Sequence, residues 1–197
     1  MEWMEGPDDA ELSRARAGDA EAFRALVERH ARGVFRLAFR MLGNEEDAED
    51  VVQETFLKAW SRLHQFEARS GFGAWLRRIA ANCAYDTLRR RKRTPLAAGP
   101  WIDDEGDEVD PVQDLPSLSP SAEREVWGAQ LRERIGSALH GLSPLERAAF
   151  TLRHLEEQPI AEIARALGCD DNNAKQSVFR AVRKLRRALS PAFPVTP

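Results

Sequence analysis

The chain has 197 residues, 43% hydrophobic and 31% charged, with a formal net charge of −3. That composition can bury one ordinary core or two small ones, and it is not that of a disordered chain. No run of 18 apolar residues is present, and no apolar segment follows a basic N-terminus, which argues against membrane insertion and against a secretory leader. Two cysteines, Cys83 and Cys169, exclude a disulfide framework and a cysteine-built zinc site, and they fit free thiols in a reducing cytoplasm.

Helical periodicity dominates the chain. A short helix over Ala10–Ala17 is stopped by Gly18, and Asp19 then caps a long helix over Ala20–Leu42. Phe23, Leu26, Val27, Val34, Leu37, Ala38 and Met41 recur along it at three- and four-residue steps. Gly43 stops that helix and Asn44 caps the next, from about Glu45 to Leu63, whose acidic first turn suits the positive end of a helix dipole. Val51, Val52, Thr55, Phe56, Ala59, Trp60 and Leu63 form its apolar stripe. A loop from about His64 to Gly71 leads to a fourth helix ending near Arg93, with Trp75, Leu76, Ile79, Ala80, Cys83 and Leu88 on one face. Residues 95–120 carry five prolines, two glycines and seven acids without periodicity, the pattern of an extended acidic linker. Helices are expected again at 121–140, 145–156, 159–167 and 171–189. Ser143-Pro-Leu-Glu146 is a capping box with proline in the first turn. The fold class is therefore all-α, with two helical domains joined by an extended acidic linker.

Charge alternates in blocks along the chain. Residues 45–54 hold six acids and no base, residues 55–94 hold ten bases and two acids, and residues 95–126 hold nine acids and one base. Basic blocks are the footprint of polyanion binding or, more simply, solvated helix faces. Residues 159–189 read as a helix-turn-helix. Ala164 sits at the centre of the first helix, Gly168 permits a left-handed turn and Asp170 caps the second helix. That second helix turns Ala174, Val178, Ala181, Val182 and Leu185 inward, and no acid occurs from Asn172 to Pro197. A helix of this kind enters a DNA major groove, although a hairpin from an unrelated bundle has similar spacing. In the first domain, Phe66, Phe72, Trp75 and Asn82 lie near the run Arg89–Arg93. Aromatics beside cations suit unstacked bases, or else the rings are core and the arginines cap a helix end. Asp47, Glu49, Asp50, Gln53 and Glu54 line the polar side of the third helix. No nucleophile, phosphate loop or histidine pair accompanies them, so a basic protein surface or water is their expected neighbour rather than a metal or a substrate.

Taken together, these stretches resemble the extracytoplasmic-function, or group IV, sigma factors of bacterial RNA polymerase. Asp47–Trp60 is similar to the family's region 2.2. Phe72–Asn82, with Asp86 and Leu88–Arg93, is similar to regions 2.3 and 2.4. Leu142–Arg147, Glu162–Gly168 and Phe179–Leu185 are similar to region 4. The resemblance implies region 2 at 1–94, the linker at 95–120, region 4 at 121–190 and a tail at 191–197. It implies a promoter-specificity subunit, not an enzyme, with no cofactor, metal or catalytic residue. The implied partners are core RNA polymerase, through the clamp helices of its largest subunit and its flap, promoter DNA and an anti-sigma factor.

By the same resemblance, Asp47, Asp50, Gln53, Glu54, Leu57 and Trp60 dock on polymerase. Phe66, Arg69, Ser70, Gly71, Asn82, Arg89, Arg90 and Arg93 meet the −10 element. Asn173, Lys175, Gln176, Phe179, Arg180, Arg183 and Lys184 meet the −35 element. Lys175, Gln176, Phe179 and Arg180 share one face of the recognition helix and suit base edges, whereas Arg183, Lys184, Arg186 and Arg187 lie further along and suit phosphates. The family's usual Gly-Thr-Val-Lys start of that helix is here Asn172-Asn-Ala-Lys175, and Ser177 stands where a basic residue is common. A free-standing helix-turn-helix regulator is the main alternative, and a helical enzyme using Asp47 and Asp50 a more distant one.

Overall fold

A computed structural model describes residues 8–66, 71–93 and 134–189. Among these residues every regular element is helical: α1 (Asp9–Arg16), α2 (Ala20–Leu42), α3 (Glu45–Arg62), a 3-10 turn (Leu63–Gln65) and α4 (Phe72–Arg93), then α5 at 134–140, α6 (Pro144–His154), α7 (Ile160–Leu167) and α8 (Asp171–Leu189). The expected linker at 95–120, the start of the helix expected at 121–140 and the tail at 191–197 lie outside the described residues.

The helix boundaries follow from local chemistry. Asp19 accepts from the backbone amides of Glu21 and Ala22, and Asn44 accepts from that of Asp47. Between α2 and α3 the chain turns on Gly43 at φ 65°, a left-handed conformation that glycine adopts without a Cβ penalty. Ser143 and Glu146 close the capping box reciprocally, with Pro144 in the first turn. The loop expected from His64 opens instead as a 3-10 continuation of α3, with the Phe66 amide bonded back to the Leu63 carbonyl.

Helices α2, α3 and α4 pack together, and α1 lies along α2. Their core is built on Leu26, Leu37, Met41, Leu42, Val51 and Leu76, all essentially inaccessible to water. The α1 strut is tied down by ion pairs of Asp8 and Glu11 with Arg29, and by Arg14 with Asp19. The C-terminal helices pack α6 and α7 against α8.

The two halves also touch. Helix α4 contacts both α6 and α7, and Ala148, Ala149, Leu152, Ile163 and Ala166 join the same apolar cluster as Leu76 and Ala80. Arg40 pairs with Glu156 at 2.8 Å, and Arg78 with Glu162 at 3.6 Å, across this seam. Nothing in the periodicity of either half anticipates that contact.

Candidate nucleic-acid interface

Helix α3 presents an exposed stripe on its outer side. Asp50, Gln53, Leu57 and Trp60 follow one another at three- and four-residue steps and all reach solvent. Leu57 is 72% exposed and Trp60 40% exposed, unusual for large apolar side chains. The Trp60 ring leans on Phe23 of α2 at 4.8 Å, and Phe23 meets Phe56 edge-on at 6.4 Å. The stripe is thus backed by core aromatics. The other two residues expected on this face have partners inside the molecule. Asp47 is ion-paired with Arg91 at the end of α4. Glu54 holds Lys58 at 2.7 Å, and Lys58 in turn lies 3.4 Å from the Cys83 sulfur. Burial pushes the Cys83 thiol up, so it stays protonated.

The aromatic group near the start of α4 is core. Phe66 and Phe72 are 4% and 3% exposed, and their rings, with that of half-buried Trp75, lie 5.3–5.7 Å apart. Arg16 of α1 donates to the Phe66 and Leu63 carbonyls, and its guanidinium sits 5.5 Å from the centre of the Phe66 ring. Phe66 is therefore not free to offer a face to a base in this arrangement, since its ring fills the gap between α1, the 3-10 turn and α4. Gly71, at φ 67°, supplies the bend that starts α4. Asn82, Arg89 and Arg90 are exposed along the helix. Arg89 lies over the Tyr85 ring and near Asp86, and Arg90 donates to Thr87. Arg69, Ser70 and the Arg93 side chain lie outside the described residues.

Helices α7 and α8 meet at Gly168, at φ 63°, and Asp170 accepts from the Asn173 amide at 2.8 Å. Asn173 is half-buried at this cap. Lys175, Gln176, Phe179, Arg180, Arg183 and Lys184 all lie on the outer side of α8, with Phe179 62% exposed. Ser177, read as a departure from a common basic residue, faces inward and is fully buried. A contact that sequence reasoning missed reaches this helix from α6. Glu146, 5% exposed, holds Lys184 at 2.6 Å and Arg180 at 3.4 Å. Its neighbour Arg147 is also buried, and burial, reinforced by the charge of Arg91, pushes that guanidinium down to about 10. The capping box was the sequence signal for Glu146, but nothing local links it to residues on α8.

Helices α4 and α8 thus carry outward cations, and α3 carries an exposed stripe of Asp50, Gln53, Leu57 and Trp60. Among the described residues no group of His, Cys, Asp and Glu is placed to hold a metal ion, and no helix is long and apolar enough to cross a membrane.

Residues 26–94 match the family model for sigma-70 region 2, and residues 132–185 match that for sigma-70 region 4. Over 195 residues the chain is 32% identical to the ECF RNA polymerase sigma factor SigE of Mycolicibacterium smegmatis, covering 96% of this chain and 72% of that protein. The chain belongs to the extracytoplasmic-function sigma factors of the sigma-70 family. It spans 50% of the length of one such relative and 96% of another. The fold is similar to that of CnrH in complex with the cytosolic domain of CnrY, with a TM-score of 0.59 at 25% identity over 94% of this chain and 99% of that one. It is also similar to the sigma factor RpoE in complex with the anti-sigma factor NepR from Bartonella quintana, with a TM-score of 0.58 at 25% identity over 87% and 98% of the two chains. A sigma factor directs transcription initiation by RNA polymerase and is not an enzyme. The region 2 match also sets aside the free-standing regulator, which has no use for that domain.

Proposed function

We propose that this sigma factor docks on core polymerase through Asp50, Gln53, Leu57 and Trp60, with the clamp helices of the largest subunit as the opposing surface and the flap receiving region 4. The exposed Leu57–Trp60 pair, with Asp50 earlier on the same face of α3, is the observation that carries this assignment. Apolar anchors beside charges are the makings of a binding hot spot. Asp47 and Glu54 support the face from behind through their ion pairs. Helix α4 engages the −10 element, with Asn82 contacting an extruded base and Arg89, Arg90 and Arg93 the backbone. Gly71, Arg69 and Ser70 border the same site, and Phe66 contributes as scaffold. Helix α8 reads the −35 duplex through Lys175, Gln176, Phe179, Arg180 and Arg183, with Asn173 setting its start.

Domain limits at 1–94, 95–120 and 121–190 accord with this division of labour. The acidic segment 95–120 tethers the two readers. If extended at ~3.1 Å per residue, a segment of that length would span about 80 Å, enough for the two domains to part at the α4 seam and bind far apart on one promoter. The protein works in the cytoplasm with polymerase and promoter DNA, and an anti-sigma factor is its regulatory partner, by analogy with the NepR complex.

Run-off transcription with core polymerase on a library of randomised promoters tests the assignment. The expected product is a two-element promoter whose −35 preference changes with Lys175→Ala and whose opening fails with Asn82→Ala. Selection of promoters by −10 sequence alone would remove the role given to α8.

A further inference from the structure

The reading of α8 as the −35 helix leaves Glu146 unassigned. It belongs to α6, 34 residues before Arg180 and 38 before Lys184. Its side chain is 6% exposed, whereas those of Arg180 and Lys184 are 45% and 48% exposed. One oxygen, Oε2, accepts from the Ser143 amide at 2.9 Å and from Lys184 Nζ at 2.6 Å. The other, Oε1, lies 3.4 Å from Arg180 Nε. Arg180 also donates from Nη2 to the buried Ser177 hydroxyl at 3.3 Å. A buried carboxylate fixed by a helix cap therefore grips two cations one turn apart on the recognition helix. Burial alone would push this carboxyl up, but the Lys184 ammonium and the Ser143 amide and hydroxyl outweigh it and hold it below the usual range, so the charge persists at neutral pH.

Resting on the −35 assignment of α8, we propose that Glu146 is a positioning residue for promoter readout: it restrains Arg180 and Lys184 so that they discriminate bases rather than bind any phosphate within reach. A free Arg or Lys on a DNA-facing helix meets phosphate oxygens, which hold the protein on DNA but carry no sequence information. It also releases a counterion on any sequence. A cation already half-neutralised by a buried carboxylate releases less. With Nε turned to Glu146, the Arg180 guanidinium presents its remaining donors along one direction, and an ordered donor pair is what a guanine edge requires. Arg186 and Arg187, exposed further along α8 and without an ion pair among the described residues, supply the unrestrained attraction. The carboxylate thus favours specificity at the expense of general affinity.

Glu146→Gln separates this role from the cap, because glutamine also completes a capping box. The experiment uses the full chain with core polymerase and compares selection from a −35 library, the salt dependence of promoter binding, and thermal unfolding. The expected result is weaker preference at the positions read by Arg180, tighter binding to non-promoter DNA, and a log K against log salt slope steeper by about 0.9 for each cation released. A lower unfolding midpoint with unchanged slope and unchanged selection would reduce Glu146 to a cap and overturn the proposal. A second comparison leaves Glu146 in place. Lys184→Met should alter the slope by much less than the roughly 0.9 expected for Arg187→Met, and equal losses would also overturn it. If Lys175→Met and Phe179→Ala leave −35 selection untouched, the assignment of α8 itself fails, an outcome distinct from the failure of Glu146 alone.

Discussion

Arg91 and Asp47 form an ion pair that joins the last turns of α4 to the first turn of α3. Arg91 also donates to the Leu42 carbonyl at the end of α2, so one side chain ties together the three helices of region 2. Its position within a basic run suggests DNA binding, but its partners are structural. In a double-mutant cycle of Asp47→Ala and Arg91→Ala, chemical denaturation should give a coupling of about 0.2–1 kcal/mol, the range for a pair this accessible. Zero coupling would mean that the contact contributes nothing to stability and that Asp47 is available to polymerase after all.

Leu57 tests the docking face most cleanly. It is 72% exposed, so Leu57→Asp should change stability by no more than about 0.5 kcal/mol while reducing co-purification with core polymerase. Asp50→Arg should act in the same direction, since charge pairs across an interface reach ~1.5 kcal/mol or more. Full retention of polymerase by both variants would remove this surface from the interface.

Phe66 and Asn82 should separate by kind of defect. Phe66→Ala empties a packed aromatic site and should cost about 3–5 kcal/mol of stability, lowering core binding and promoter opening together. Asn82→Ala lies on an exposed face and should leave the unfolding midpoint in place while lowering open-complex formation, read by permanganate reactivity of unpaired thymines. Joint loss of folding and opening in Asn82→Ala would make that residue structural.

Glu146 carries a pH signature. Its folded carboxyl is held below its ordinary value of 4.5. The stabilisation it gives is therefore complete above that ordinary value and is lost as pH falls through the depressed one. Acid titration of stability should show wild type losing part of its advantage over Glu146→Gln below about pH 4.5. Parallel acid limbs for the two proteins would show that Lys184 and Arg180 add nothing to the carboxylate.

Local chemistry was legible in the sequence, and so was the family. Asp19, Asn44, Ser143 and Gly168 mark helix ends because caps and left-handed turns are made within a few residues. The inward faces of α2, α4 and α8 followed from spacing alone. What escaped was contact at long separation. Phe66 reads as a loop aromatic until Arg16, fifty residues earlier, is found closing over it. Ser177 reads as a lost cation until α8 is packed and that position turns inward. Arg40 and Glu156 are 116 residues apart, and no periodicity encodes such a meeting. The same limit hid Glu146, whose local role as a cap is complete without reference to α8.

The corner at Gly43 and Asn44 has a consequence for how tightly polymerase can be held. Two residues join α2 to α3, one in a left-handed turn and the other capping the next helix, and Phe23 from α2 props Trp60 on α3. Little backbone or ring freedom is left to freeze when a partner arrives. Ordering a side chain at an interface costs about 0.5–1.5 kcal/mol, and loops cost more. Here that loss is incurred during folding, before encounter, so association should proceed with a small unfavourable conformational entropy and a largely rigid approach. Insertion of glycines at 43–44 should leave every contact residue in place and still weaken the complex.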